Sequence, residues 1–280
     1  MTETRIVLSG LAFPEGPRWH AGRFWFSDIV GEQVHALDED GTIVHTIDVP
    51  GEPSGLGWLP DGSLLVVVRS LLELQRLQGA KLVHHASLAP VHRIFSNDMV
   101  VDAAGRAYVG SVGFDFTSGE SPAPSALALA HPDGRVESAA EGLMCPNGVA
   151  VSADGTLMVV AETLAGQISA FDVAPDGTLA NRRVFARIDG SPDGLCLDAE
   201  NCVWVALPDK GCVVRVADGG AVLETIPVRD AMAFACVLGG EDRRTLMICA
   251  GTAHDAEECR RLRSGRIEFA RVAVPGAGLP

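Results

Sequence analysis

Basic residues never gather in this chain. Its densest run is RRLR at 260–263, and 22 Lys plus Arg stand against 36 Asp plus Glu for a formal charge of −14. Nucleic acid is therefore not an expected partner. Aromatic residues are also scarce, at 5% within a hydrophobic total of 47%, so the core must be built from Val, Leu and Ala with Gly turns. That composition suits packed sheets. No CxxC pair occurs, and the seven cysteines (145, 196, 202, 212, 236, 249, 259) are odd in number and mostly lie within apolar runs. They read as reduced thiols, which places the protein in the cytoplasm. The N-terminus lacks a basic region followed by an apolar one, and no apolar run approaches membrane-spanning length, so no membrane association is expected. GxSxG, GxxxxGK, HExxH and a GxGxxG followed by a helical pattern are all missing, which removes the usual hydrolase elbow, phosphate loop, zinc helix and dinucleotide fold. Heptads are absent too, leaving the oligomeric state open.

What the chain does contain is a repeat. In PNGVAVSADGTLMVVAE (146–162) a polar residue and a Gly precede an apolar run with Val149 and Val151 at period two. An Asp154-Gly155 turn and a second run with Leu157 and Val159 follow, which is an antiparallel hairpin. The same frame returns as EGPRWHAGRFWFSD from Glu15, SGLGWLPDGSLLVVV from Ser54, NDMVVDAAGRAYVGS from Asn97, DGLCLDAENCVWVAL from Asp193 and a worn FACVLGGEDRRTLMICA from Phe234. Successive copies start 39, 43, 50, 46 and 41 residues apart. A strand-built repeat of that length is the mark of a propeller blade.

Between the copies lie second strand pairs, each pivoting on a Gly, such as QVHALDEDGTIVHTIDV and QISAFDVAPDGTLANRRVFA. The expected fold is thus all-β: one six-bladed β-propeller domain over residues 1–280, with four antiparallel strands per blade. The sixth repeat ends one strand short after RIEFARVAV (266–274), while RIVLSGL (5–11) at the N-terminus has no partner. Docking that N-terminal strand as the outer strand of the last blade would close the ring and remove exposed edges.

Equivalent positions in a propeller recur around its axis. The leading position of the six copies reads Glu15, Ser54, Asn97, Asn147, Asp193 and Phe234. Taken singly, Asn or Asp before Gly is an ordinary turn residue. As a set, four oxygen-bearing side chains from four blades would meet at one mouth of the axis, two of them carboxylates that are costly to crowd without a cation. Glu15, Asn97, Asn147 and Asp193 are therefore the expected ligands of one divalent metal ion. All-oxygen ligation points to Ca²⁺ first, with Mg²⁺, Mn²⁺ or Zn²⁺ as alternatives. Asp38-Glu39-Asp40-Gly41 has part of a calcium-loop pattern but lacks the remaining ligands and reads as a hairpin turn. His92, five residues before Asn97, is within sequence reach of the mouth.

The segments FPEGPRWHAGRFWFSD, SNDMVVDAAGRAYVG, CPNGVAVSADG and SPDGLCLDAE, with the closing SGRI, resemble the SMP-30/gluconolactonase/LRE-like family along essentially the whole chain. That resemblance implies a divalent cation at the top of the channel and hydrolysis of a lactone there, with Glu15, Asn147 and Asp193 as ligands, Asn97 as a metal or substrate contact, and Asp193 as catalytic base or nucleophile. One departure bears on the substrate. Sugar-lactone members commonly place an Arg two residues before this Asn to hold substrate hydroxyls, and this sequence has Phe95 there. Together with Met144, Cys145, Phe114 and Phe116, Phe95 gives the mouth a partly apolar wall. The Gly/Ser/Pro-rich segment 113–125 is a candidate lid, with Asp115 or Glu120 entering the substrate pocket. The small-molecule substrate is accordingly a lactone, sugar-derived or less polar. An organophosphate or aryl ester at the same metal, or a propeller that binds ligand without catalysis, are the competing readings.

Overall fold

A computed structural model describes residues 3–116 and 118–280. Strand β1 (Arg5–Leu11) precedes the first blade, which is β2 (Pro14–His20), β3 (Arg23–Asp28), β4 (Gln33–Leu37) and β5 (Ile43–Asp48). The second is β6 (Pro53–Trp58), β7 (Leu64–Val68), β8 (Glu73–Gln78) and β9 (Lys81–Ser87), and the third is β10 (Phe95–Val101), β11 (Ala107–Val112), β12 (Ser125–Ala130) and β13 (Val136–Leu143). The fourth is β14 (Pro146–Val151), β15 (Leu157–Glu162), β16 (Gln167–Val173) and β17 (Leu179–Arg187), and the fifth is β18 (Leu195–Leu197), β19 (Val203–Leu207), β20 (Cys212–Val216) and β21 (Val222–Pro227). The sixth holds β22 (Met232–Gly239), β23 (Thr245–Gly251), helix α1 (Ala256–Leu262) and β24 (Gly265–Arg271).

Each blade is one four-stranded antiparallel sheet, and the first strands β2, β6, β10, β14, β18 and β22 pack against one another in sequence around an axis, the last returning to the first. Strand order β1-β24-β23-β22 closes the ring as expected, with Arg5 opposite Phe269 and Leu11 opposite Gly265. Turn chemistry sets the hairpins. Asp154 accepts the Thr156 amide at 3.1 Å while Gly155 takes a φ of +72°, a conformation costly for a residue with a Cβ. Second strands are sandwiched between neighbouring blades, so LLVVV of β7 is buried at all five positions, whereas the outer β5 is almost wholly exposed.

Helix α1 is an element the sequence pattern does not announce. Asp255 caps it by accepting the amides of Glu257 and Glu258 at 3.0 Å, and only Cys259 of its seven residues is buried. One buried side chain leaves no helical period to read. The C-terminal residues also do more than end the last blade. Pro275 accepts from the Ala199 amide, the Gly276 amide donates to Arg243, Ala277 donates to Leu197, and Leu279 exchanges both backbone bonds with Val151. The segment thereby crosses the ends of the inner strands that lie opposite the site. All seven cysteines are buried and free, and among the described residues no helix is long and apolar enough to cross a membrane.

Candidate active site

Every inner strand starts at the same end of the axis, and in five of the six blades its pairing slips there. The shifts fall between Glu15 and Arg18, Pro53 and Leu56, Ser96 and Met99, Pro146 and Val149, and Ala233 and Ala235. A bulge re-aims side chains out of the sheet alternation. Asn97, Asn147 and Phe234 therefore occupy irregular backbone at the mouth, Glu15 borders such a slip, and Asp193 stands two residues ahead of the short β18.

Carboxylates at the ends of second strands fix the segments leading into two of these inner strands. Asp28 accepts the amides of Ala12 at 3.0 Å and Phe13 at 2.6 Å, just ahead of Glu15. Glu162, paired in register with Pro146 as Asp28 is with Pro14, accepts the Met144 amide at 2.9 Å and binds Ser169, Gln167 and Arg182.

The structure brings Asn147 and Asp193 into contact, Asn147 Nδ2 donating to Asp193 Oδ1 and lying 3.4 Å from Thr163 Oγ1. Glu15 is buried, and its Oε2 accepts the Gly16 amide at 2.8 Å. Burial, and then the charge of Asp98, push its carboxyl up to about 8. Asp193 is driven well above the usual carboxylate range by burial first, then by Glu15 and Asp98, while its bonds from Asn147 and the Gly194 amide oppose the shift. Asn97 is half-buried, and its carbonyl accepts the Ser54 hydroxyl at 2.7 Å. Phe234 closes the sixth position, packed edge-on against Phe13 with ring centroids 4.8 Å apart.

Two further charged residues belong to this hub. Asp98 and Arg18 form a buried pair at 2.5 Å, and Arg18 also donates to the carbonyls of Leu56, Pro17 and Met99. Both stood in motifs already singled out, one residue from Asn97 and three from Glu15. Arg69 is a third addition. It follows β7 where Thr163 follows β15, so repeat position was the signal that could have found it.

Phe95, Phe114 and Cys145 share one apolar cluster with Val112 and Ala123. Phe116 stands against Phe95 and Phe114 at 5.8 and 6.5 Å between ring centroids. Burial and nearby Asp193 push the Cys145 thiol up to about 11, which keeps it protonated at neutral pH. Within the 113–125 segment, Glu120 accepts the Asp115 amide at 2.9 Å and pairs with Arg93 at 2.6 Å, and Asp115 accepts the Ser118 amide at 3.2 Å. These bonds tie the loop to itself and to Arg93. His92 is buried, with Nδ1 2.9 Å from Ser96 Oγ and a pKa lowered by burial to about 4.

Among the described residues no three His, Cys, Asp or Glu side chains are grouped as a metal site. The candidate donor set is of another kind: Asp98 is taken up by Arg18, which leaves two buried acids and two carboxamides. That set fits a hard divalent ion, because both acids are raised by burial and then by neighbouring carboxylates, Glu15 by Asp98 and Asp193 by Glu15 and Asp98, and a cation would offset that negative charge.

Residues 13–252 match the model of the SMP-30/Gluconolactonase/LRE-like region. The chain belongs to the SMP-30/gluconolactonase/LRE-like family. Relatives within reach include a 6-deoxy-6-sulfogluconolactonase of Pseudomonas putida, 30% identical across 98% of this chain and 96% of that protein. A pentonolactonase of Haloferax volcanii is 27% identical across 99% and 96%. Among solved structures, the calcium-binding protein regucalcin of Agrobacterium tumefaciens superposes with a TM-score of 0.82 at 21% identity, covering 100% of this chain and 97% of that one, which speaks to the fold.

Proposed function

We propose that this chain is a lactonase of the gluconolactonase type that opens its substrate at the mouth of the channel with the help of one divalent ion, Ca²⁺ first. The observation that carries the reading is the convergence of Glu15, Asn147 and Asp193 from three blades at one end of the axis, where two buried carboxyls call for a cation. Family membership and two relatives named for opening sugar lactones support the chemistry. Seven free thiols favour the reducing cytoplasm.

Glu15, Asn147, Asp193 and the carboxamide of Asn97 would hold the ion; Asn147 Nδ2 now faces Asp193, and a half-turn of the amide exchanges it for Oδ1. A bound divalent ion supplies Lewis-acid polarisation of the lactone carbonyl and acidifies water. Asp193 takes a proton from the attacking water as its oxygen bonds to the carbonyl carbon. The same carboxyl returns that proton to the ring oxygen when the C–O bond breaks, giving the open hydroxy acid. Phe13 and Phe234 on one side and the Phe95, Phe114 and Cys145 cluster on the other limit water around these groups.

The apolar wall around Phe95 supports a second reading, an aryl ester or organophosphate at the same site. Steady-state kcat/KM on an aldonolactone, an aliphatic lactone, an aryl ester and a fluorophosphate separates them. Preference for a lactone is the expected result. Preference for the fluorophosphate or aryl ester would transfer the assignment, and no turnover of any would leave a binding propeller.

A further inference from the structure

Arg69 follows β7 at the mouth end of the second blade. Its side chain is 19% exposed, its Cζ lies 4.7 Å from the centroid of the Phe95 ring, and the charges of Glu52 and Glu15 reach it. The residue thus overhangs the hub, on the wall formed by Phe95.

What sets it apart is how little it bonds. Arg18 places its guanidinium on one carboxylate and three carbonyls, and Arg215 bridges Asp198 and Glu200 at 2.6 and 2.7 Å. Among the described residues, the Arg69 guanidinium donates no hydrogen bond. Its Nε is buried without an acceptor, and the Glu52 carboxylate stands 4.0 Å from it. Holding a mostly desolvated cation without bonded partners is costly, and a ligand that supplied them would relieve the cost.

The Phe95 ring lies against the guanidinium, its centroid 4.7 Å from Cζ, and this contact helps hold the cation in place at the mouth. A guanidinium's fork of donors matches two oxygens of a carboxylate, sulfonate or phosphate, whereas a hydroxyl would fill one donor only. We propose that Arg69, held against Phe95, is the anion-binding residue of the mouth, and that the substrate is a lactone bearing a second, acidic group remote from its carbonyl. Phe95 fills the place where the family resemblance led us to expect an Arg for hydroxyls, and in doing so becomes the platform for a cation from the neighbouring blade.

The inference rests on the lactonase reading for the identity of the ring, though not for the anion. Its test compares gluconolactone with counterparts carrying a carboxylate or a sulfonate at C6, on wild type, Arg69→Gln and Arg69→Lys. Wild type is expected to favour a charged lactone, and the two acids show which anion fits. Arg69→Gln is expected to lose about 30-fold in kcat/KM on that substrate, carried mainly by KM, and less than about 3-fold on the neutral lactone, with partial recovery in Arg69→Lys. Equal losses on charged and neutral lactones, or a wild type that prefers the neutral one, would overturn the proposal. Calorimetric binding of the ring-opened C6 acid keeps the question separate from turnover. If wild type opens no lactone, the lactonase reading falls, but binding at least about 10-fold tighter than to Arg69→Gln still upholds the anion site, and equal binding removes it. Matching melting temperatures confirm that the variants are folded.

Discussion

Asp193 combines burial, a bond from Asn147 and the nearby charge of Glu15, and it is the carboxylate proposed as both ligand and base. Replacing it with Asn keeps the volume and removes the proton acceptor. Turnover should fall by about 10³-fold while the melting temperature stays near or above that of wild type, since one repelling charge is gone. Retention of most of the activity would take Asp193 out of the mechanism. The raised Glu15 carboxyl makes a second prediction, for protein freed of divalent ions. A carboxyl whose folded pKa is about 8 and whose ordinary value is 4.5 binds its proton more tightly in the folded state, so its contribution to stability is complete below 4.5 and is lost as the pH rises through 8. His92 works in the opposite sense, contributing above 6.5 and losing that contribution as the pH falls toward 4. The window from 6.5 to 8.5 therefore isolates the acids: with chelator present, melting temperature should fall across it in wild type and fall less in Glu15→Gln. Identical slopes in the two proteins would show that Glu15 carries no such burden.

At the level of the strand, what places the site is a bulge repeated from blade to blade and a close approach between neighbouring inner strands. Gly148, beside Asn147, lies so near the next blade that an added Cβ would stand 2.6 Å from the Asp193 carbonyl oxygen and the Leu195 nitrogen. Asn-Gly reads in the sequence as a turn signal, and the structure shows a different reason for this glycine: backbone contact between blades. Gly148→Ala should cost about 2 kcal/mol and lower kcat by spreading Asn147 from Asp193. Gly155→Ala, at the far hairpin with open space around it and only its φ of +72° to oppose the change, should cost about 1 kcal/mol and leave kcat untouched. Equal effects on kcat would mean that the approach at Gly148 does not set the site. This scale also marks how far sequence could be read. Strand pairs and their Asp-Gly turns were legible because period-two apolar runs and turn residues are local signals. Helix α1, with Cys259 alone facing inward, and the C-terminal crossing, held by backbone bonds of Gly276, Ala277 and Leu279, have no such signature.

Over the whole molecule, sixfold repetition made both the closure through β1 and the leading positions Glu15, Asn97, Asn147 and Asp193 readable, because superposed repeats turn sequence spacing into position around an axis. The same logic, applied only to first strands, passed over Arg69, which stands after a second strand, and over Asp98, whose pairing with Arg18 joins the first and third blades. Ligand chemistry rather than topology decides what the assembled hub does. The decisive measurement is bound divalent ion and lactone turnover in one titration: protein stripped by chelator, then returned to Ca²⁺ in steps, with elemental analysis and kcat/KM at each. Activity should vanish on stripping and return in proportion to the ion bound, saturating at one per chain, in wild type and not in Asp193→Asn. Full turnover by protein with no bound ion would contradict the assignment.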